Sequence, residues 1–210
     1  MKIKAAGILG LAALVLAVPA SAADPSGRFN VRGAGSMRCD AVSAAFAARD
    51  TRSVQIVDWL MGYTTAWNRL NQGTFDALPG EDGRDLAGLA LALCRSNPTV
   101  NLETAASTGL RLLAPLQATR DGPLVSFPVP APAGAKPGTP AAAPRAIRLH
   151  PEAVRIVERK LKALGRYQAA ESGTASPALL AALSGFQRAE KLSPTGLPDT
   201  PTLIRLMQAR

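Results

Sequence analysis

Any chemistry in this chain would have to start from very few side chains. Cys39 and Cys94 are the only cysteines and His150 is the only histidine, and His150 lies far from both in sequence. A nucleophile needs a base beside it, and a tetrahedral metal site needs several thiol or imidazole ligands. The chain offers no His-paired nucleophile, no Gly-x-Ser-x-Gly elbow and no metal-spaced His/Glu set. Glu152, Glu158 and Glu171 could be imagined as glycosidase acids, but they fall on or beside one short predicted bundle with no cleft. His150, preceding Pro151, reads as a surface residue at a helix start. The expectation is a non-catalytic protein with no metal and no cofactor.

The elements that must position these residues begin at the N-terminus. Lys2 and Lys4 precede an uncharged apolar run from Ala5 to Val18, followed by Ala20-Ser21-Ala22. This is the layout of a secretory signal over 1–22, with cleavage expected after Ala22. Its 14 apolar residues rise only about 21 Å as a helix, short of a hydrocarbon core of about 30 Å, so it does not read as an anchor. Removing Lys2 and Lys4 from the 24 basic residues leaves 22 against 15 acids, a formal charge of +7. Outside the cytoplasm the available polyanions are wall carboxylates and membrane lipids, and the dispersed Lys and Arg do not resemble a nucleic-acid patch. The expected location is the periplasm, with no nucleic acid and, after cleavage, no membrane as partner. Two cysteines in an oxidising compartment usually join, so a Cys39–Cys94 disulfide is expected. In the chain-entropy model such a long loop is worth about 4 kcal/mol.

Between Asp121 and Pro144 the composition shifts to 7 Pro, 3 Gly and 6 Ala in 24 residues. Such a stretch buries too little apolar surface to offset chain entropy, so 116–146 reads as a linker between modules that move semi-independently. On either side the periodicity is helical. The spacing predicts helices from about Asp40 to Arg49, along Thr51 to Asn71, from Arg84 to Arg95, and from an Asn101 cap through Leu113. In the second, Ile56, Leu60, Tyr63, Trp67 and Leu70 form a core-facing stripe, and Gly62 suggests a close approach by another helix. After the linker, Pro151 opens a helix with Val154, Val157, Leu161 and Leu164 inward and Gly165 as its cap. Ser176-Pro177 and Thr200-Pro201 open two more, with Leu179, Leu183, Phe186, Leu203, Leu206 and Met207 inward. The fold class is therefore all-α: a four-helix disulfide-linked domain over 35–115 and a three-helix bundle over 147–210, joined by a Pro/Ala-rich linker.

Two resemblances sharpen this. Cys39, Trp59-Leu60-Met61-Gly62-Tyr63, Asn68 and Cys94-Arg95-Ser96-Asn97-Pro98 resemble small periplasmic helical proteins of the acid-stress chaperone type related to the HdeA family. The resemblance covers Gly35 to about Leu113 and implies a single-disulfide four-helix domain. In the C-terminal part, Val154-x-x-Val157-x-x-x-Leu161-x-x-Leu164-Gly165-x-Tyr167, then Phe186-Gln187, Leu192, Thr195-Gly196 and Thr202-Leu203, look like the peptidoglycan-binding domain of bacterial wall enzymes. This resemblance implies a three-helix bundle that binds wall glycan-peptide and tethers a partner. It makes Tyr167, Ser172, Gly173, Pro177 and Gln187 the candidate peptidoglycan-binding residues. The chain departs from the family where Ser172-Gly173 replaces Asp-Gly, Leu179 replaces a Thr, Glu158 replaces a Gln and Lys191 replaces a Gly. The function expected is an exported, non-catalytic peptidoglycan-binding protein that anchors its N-terminal helical domain, with a periplasmic protein recruited by that domain as second partner. The alternative is a wall-tethered periplasmic acid-stress chaperone.

Overall fold

A computed structural model describes residue 24 and residues 26–80, 84–129 and 146–209. The expected signal segment and residues 130–145 of the expected linker lie outside the described residues. Two units result, Met1–Asn30 and Val31–Arg210. In the first, the Asp24 carboxylate accepts the N–H groups of Ser26 at 3.0 Å and Arg28 at 2.8 Å, closing a turn in which Gly27 has φ 76°.

The second unit is built of seven α-helices among the described residues: α1 Cys39–Ala48, α2 Thr51–Leu70, α3 Arg84–Ser96, α4 Leu102–Leu113, α5 Pro151–Ala163, α6 Pro177–Ala189 and α7 Thr200–Gln208. Their starts follow local chemistry. Asp50, Asn101, Ser176 and Asp199 each accept a first-turn backbone N–H through the side chain, satisfying donors that a helix N-terminus leaves free. For α7 the cap is therefore Asp199, one residue ahead of the expected start.

Cys39 opens α1 and is bonded to Cys94 of α3 across 55 residues of chain, as expected. Around the bond, Ala90 is buried together with Val42, Leu86, Leu89, Leu102 and Leu110, each of these five larger side chains contributing about 1.5–3 kcal/mol. The helix approach expected at Gly62 occurs elsewhere. A Cβ at Gly62 would meet nothing within 4 Å, whereas one at Gly109 in α4 would come within 2.7 Å of Leu89 in α3. The α2 stripe is also shorter than its periodicity suggests: Ile56 and Leu60 are enclosed, Tyr63 and Trp67 half-buried, and Leu70 is 73% exposed. Trp59 lies on a 3₁₀ turn at Gly33–Ser36, its indole N–H donating to Arg32 C=O at 2.9 Å, and Gly35 leaves room for the ring.

The composition break does not separate two independent bodies. Strand β1, Val125–Pro128, pairs antiparallel with β2, Ala146–Leu149, in the register Val125 to Leu149 and Phe127 to Ile147. Phe127 and Leu149 are buried in one continuous apolar core with residues of both helical groups. Helix α7 packs on α3 and α4, and α5 packs on a 3₁₀ turn at Ala114–Leu116. Gly80 bridges to Leu149, and any Cβ there would run into Arg148 C=O at 2.0 Å. The two helical groups, expected to move semi-independently, thus pack on one another within one unit. The physical reason is apolar: β1, β2 and α7 each bring buried side chains to a surface that the N-terminal helices alone would leave wet.

His150 is corrected by the same junction. Instead of lying on the surface, it is 6% exposed, its backbone N–H donating to Pro79 C=O at 2.8 Å and its ring meeting Phe75 edge-on at 6.1 Å.

Candidate functional site

Helix α5 ends at Gly165, whose φ of 68° is the left-handed geometry expected there. The Arg166 N–H reaches back to Leu161 C=O at 2.8 Å, and the chain turns so that Tyr167 enters the core. What it finds is Glu158, a fully buried carboxylate of α5. Glu158 Oε1 accepts the hydroxyls of Tyr167 at 3.2 Å and Ser172 at 3.0 Å, and Oε2 accepts the Gly173 N–H at 2.9 Å. Tyr167 shares its hydroxyl proton with Ala170 C=O at 3.1 Å. A buried acceptor without donors costs several kcal/mol, so the three donors are what makes Glu158 tolerable here, and in return they fix the loop 167–173. Burial raises the Tyr167 phenol above its ordinary value and the Glu158 charge acts in the same direction, partly offset by the Ser176 hydroxyl. Gly173, at φ 68°, lies under Arg155, whose Cζ would be 3.0 Å from a Cβ.

A second buried polar centre fastens the other end. Gln187 of α6 is fully buried; its Nε2 lies 2.9 Å from Leu197 C=O, 2.8 Å from Thr202 Oγ1 and 3.0 Å from Thr195 Oγ1, and its Oε1 accepts the Gly196 N–H at 2.8 Å. One amide thus ties the 195–197 turn to the start of α7. Helix α6 itself ends as α5 does, with the Leu192 N–H on Gln187 C=O at 2.8 Å, but the left-handed position is occupied by Lys191 at φ 57°. Its Cβ makes that geometry cost about 1–2 kcal/mol relative to glycine, which locates the physical consequence of the Gly-to-Lys departure.

Between these centres lies a groove of about 520 Å³. One wall is the turn Gly165, Arg166, Tyr167, Gln168 and Ala169; the floor is Ala178, Ala181, Ala182 and Gly185, one face of α6. Arg166 is the one charged residue of that lining. Gly185 has no packing reason in the fold, since a Cβ there would meet nothing within 4 Å. In a helix interior a glycine costs about 1 kcal/mol relative to alanine, so its effect is to keep the groove open.

Of the residues singled out in the sequence, Tyr167 lines this groove and Pro177 is exposed immediately before Ala178. Ser172 and Gly173 stand behind Tyr167 around Glu158, and Gln187 belongs to the separate buried centre. The floor residues and Arg166 were not singled out. The signal for the floor was the spacing of three alanines and a glycine at i, i+3, i+4 and i+7, which composition alone reads as ordinary helix. Among the described residues no group of three or more His, Cys, Asp or Glu could hold a metal ion, and no helix is long and apolar enough to cross a membrane.

No solved structure matches the chain at a significant level. Two curated relatives, both named "Localization factor PodJL" and from two strains of Caulobacter vibrioides, are 45% identical over 51 residues, 24% of this chain and 5% of theirs. The chain thus matches only a small fraction of those proteins' length. Residues 150–206 match the family "Putative peptidoglycan binding domain", a binding domain rather than a catalytic one, so the helical C-terminal part that carries the Glu158 and Gln187 centres and the groove is a domain of that kind.

Proposed function

We propose that this is an exported, non-catalytic protein of the cell envelope that holds its N-terminal helical group, in sequence an HdeA-like domain, at the wall, with peptidoglycan seated in the groove between 165–169 and α6. The observation that carries this reading is the match of residues 150–206 to a peptidoglycan-binding family. The groove supports it. Its floor is flat because the α6 face is made of alanine and glycine, Tyr167 is fixed beneath its wall by Glu158, and Arg166 supplies one cation for a stem-peptide carboxylate. The main contacts of the module with the N-terminal helices fall on α5 and α7. In this reading Ser172, Gly173 and Gln187 act by holding the loops, and Tyr167 and Pro177 lie at the ligand. The Caulobacter relatives are named for localization, which fits a module that fixes position.

The experiment is retention of the purified full chain by isolated sacculi. Wild type is expected to co-sediment, and Gly185→Leu, whose Cβ meets nothing within 4 Å and whose side chain extends into the groove, is expected to weaken binding at least about tenfold, or ~1.4 kcal/mol. Wild-type retention no greater than that of an unrelated basic protein overturns the reading. Intact mass of the secreted chain tests export, with loss of Met1 to Ala22 expected.

A further inference from the structure

Several exposed arginines of this chain are answered by a neighbouring acid: Arg28 by Asp24, Arg38 by Asp40, Arg52 by Asp50 and Arg205 by Glu190. The outer face of α5 is built differently. Arg155, Arg159 and Lys162 follow one another at steps of four and three, which places them on one face, and all three are exposed. Ala153, Val154, Val157, Glu158 and Leu161, on the other side of the helix, are buried. Neither glutamate of α5 balances the row. Glu158 is enclosed and bound to Tyr167, Ser172 and Gly173, and Glu152 is taken by Thr119 and Arg120. Arg159 alone of the three is paired, with Glu171 at 3.1 Å. Among the described residues Arg155 and Lys162 form no ion pair, and neither does Arg166, the cation that lines the groove just past the Gly165 stop.

The row costs the helix stability, because like charges four residues apart, as Arg155 and Arg159 are, repel along its surface. Two of its cations are nonetheless held in place. Arg155 lies over Gly173, its Cγ, Nε and Cζ within 3.1 Å of where a Cβ would stand, and Arg159 is fixed by Glu171. A side chain already ordered loses less freedom when it takes up an anion. The face also lacks what a lipid surface requires. Among the described residues the large exposed apolar side chains are Phe29, Val54, Met61, Leu70 and Phe75, all in the N-terminal part. Membrane-seated helices set aromatic and aliphatic side chains beside their cations, and α5 exposes none. A row of cations without apolar neighbours matches a polymer that carries spaced carboxylates.

We propose that the outer face of α5 is a second contact surface for peptidoglycan, on which Arg155, Arg159 and Lys162 take up stem-peptide carboxylates of units beyond the one seated in the groove. The inference rests on the wall-binding reading above, and Arg166 is the link between the two surfaces, since it lines the groove where α5 ends. Arg155 and Lys162 stand two helical turns apart, about 10 Å, so the row addresses more than one carboxylate.

The test is retention of the full chain by isolated sacculi at low and at high salt. Arg155→Gln combined with Lys162→Gln is expected to bind about fivefold more weakly than wild type at low salt, with the gap narrowing at high salt. Refilling both positions with the opposite cation, Arg155→Lys with Lys162→Arg, should restore retention. Arg69→Gln with Arg95→Gln removes two exposed cations from α2 and α3 and should bind as wild type. On sacculi whose carboxyls have been converted to neutral amides, wild type and the Arg155/Lys162 glutamine pair should be retained equally. The proposal is overturned, with the groove reading left standing, if that glutamine pair binds as wild type while Gly185→Leu is weakened. It is also overturned if the opposite cations fail to restore binding, if loss of Arg69 and Arg95 weakens it as much, or if the gap persists on amidated sacculi. Loss of retention confined to vesicles of phosphatidylglycerol and phosphatidylcholine would overturn it too and assign the row to a membrane. Wild type that fails to co-sediment with sacculi overturns both readings.

Discussion

Both tyrosines of the chain donate to a glutamate, one in each helical group, and the two pairs have different duties. Tyr63 of α2 reaches Glu103 of α4 at 2.8 Å from a half-buried position, and among the described residues it is the one hydrogen-bond donor to that carboxylate. Tyr167 reaches Glu158 at 3.2 Å inside the core, where the same carboxylate also holds the Ser172 hydroxyl and the Gly173 N–H. The N-terminal pair links α2 to α4, two helices that each pack on α1 and α3, which the disulfide joins. The C-terminal pair organises a loop with no covalent staple. What a hydrogen bond contributes therefore depends less on its length than on which groups would be orphaned without it.

The largest effect should come from removing the centre with most dependants. Glu158→Ala leaves the buried Gly173 N–H without an acceptor and creates a void, and is expected to cost about 3 kcal/mol in urea unfolding of the full chain. Glu158→Gln keeps an oxygen for Gly173 and turns its NH₂ toward two hydroxyls that can accept, so it should cost only about 1 kcal/mol. Glu103→Ala frees a half-buried phenol that water can serve, and is expected to cost about 1 kcal/mol or less. Equal losses for the two alanine variants would break the comparison.

Much of the frame behind both pairs was legible. Asn101 and Ser176 are caps, Gly165 is a left-handed stop and the paired cysteines are bonded, because each of these is decided within a few residues or by compartment chemistry. The Glu158 centre was visible only as a departure at one position; that it gathers Tyr167, Ser172 and Gly173 needs the loop in three dimensions. Union of the two helical groups was hidden for another reason. Its contacts, Gly80 on Leu149, Thr119 on Glu152 and α4 on α7, join residues far apart in sequence with no local periodicity to announce them. A glycine reports that a side chain is absent, not where its neighbour stands, which is why Gly62 misled and Gly109 went unremarked.

Removing only the hydroxyls isolates the pairs more gently. Tyr167→Phe withdraws a donor from a fully buried carboxylate that retains Ser172 and Gly173, and should cost about 1 kcal/mol. Tyr63→Phe withdraws one from a pair within reach of solvent, and should cost about half of that. The ratio matters more than either value, since both variants keep the ring and its packing.

The smallest effect at neutral pH, and the one that compares the two phenols on a single scale, is alkaline titration. Burial first, then hydrogen bonding to Glu103 and its charge, raises the Tyr63 phenol above its ordinary value; for Tyr167 burial again leads, reinforced by Glu158. An unfolded tyrosine ionises near pH ~10. Because the folded values are higher, the stability that each neutral phenol contributes is complete below pH ~10 and is lost as the pH rises through the folded value. Tyrosinate absorbance of the folded chain should therefore appear above the ordinary midpoint and should jump when denaturant is added just above pH ~10. In Tyr167→Phe the remaining signal reports Tyr63, and in Tyr63→Phe it reports Tyr167. A folded midpoint at the ordinary value in either variant would show that its phenol is served by water, and the Tyr–Glu pair assigned to that helical group would be a contact without consequence.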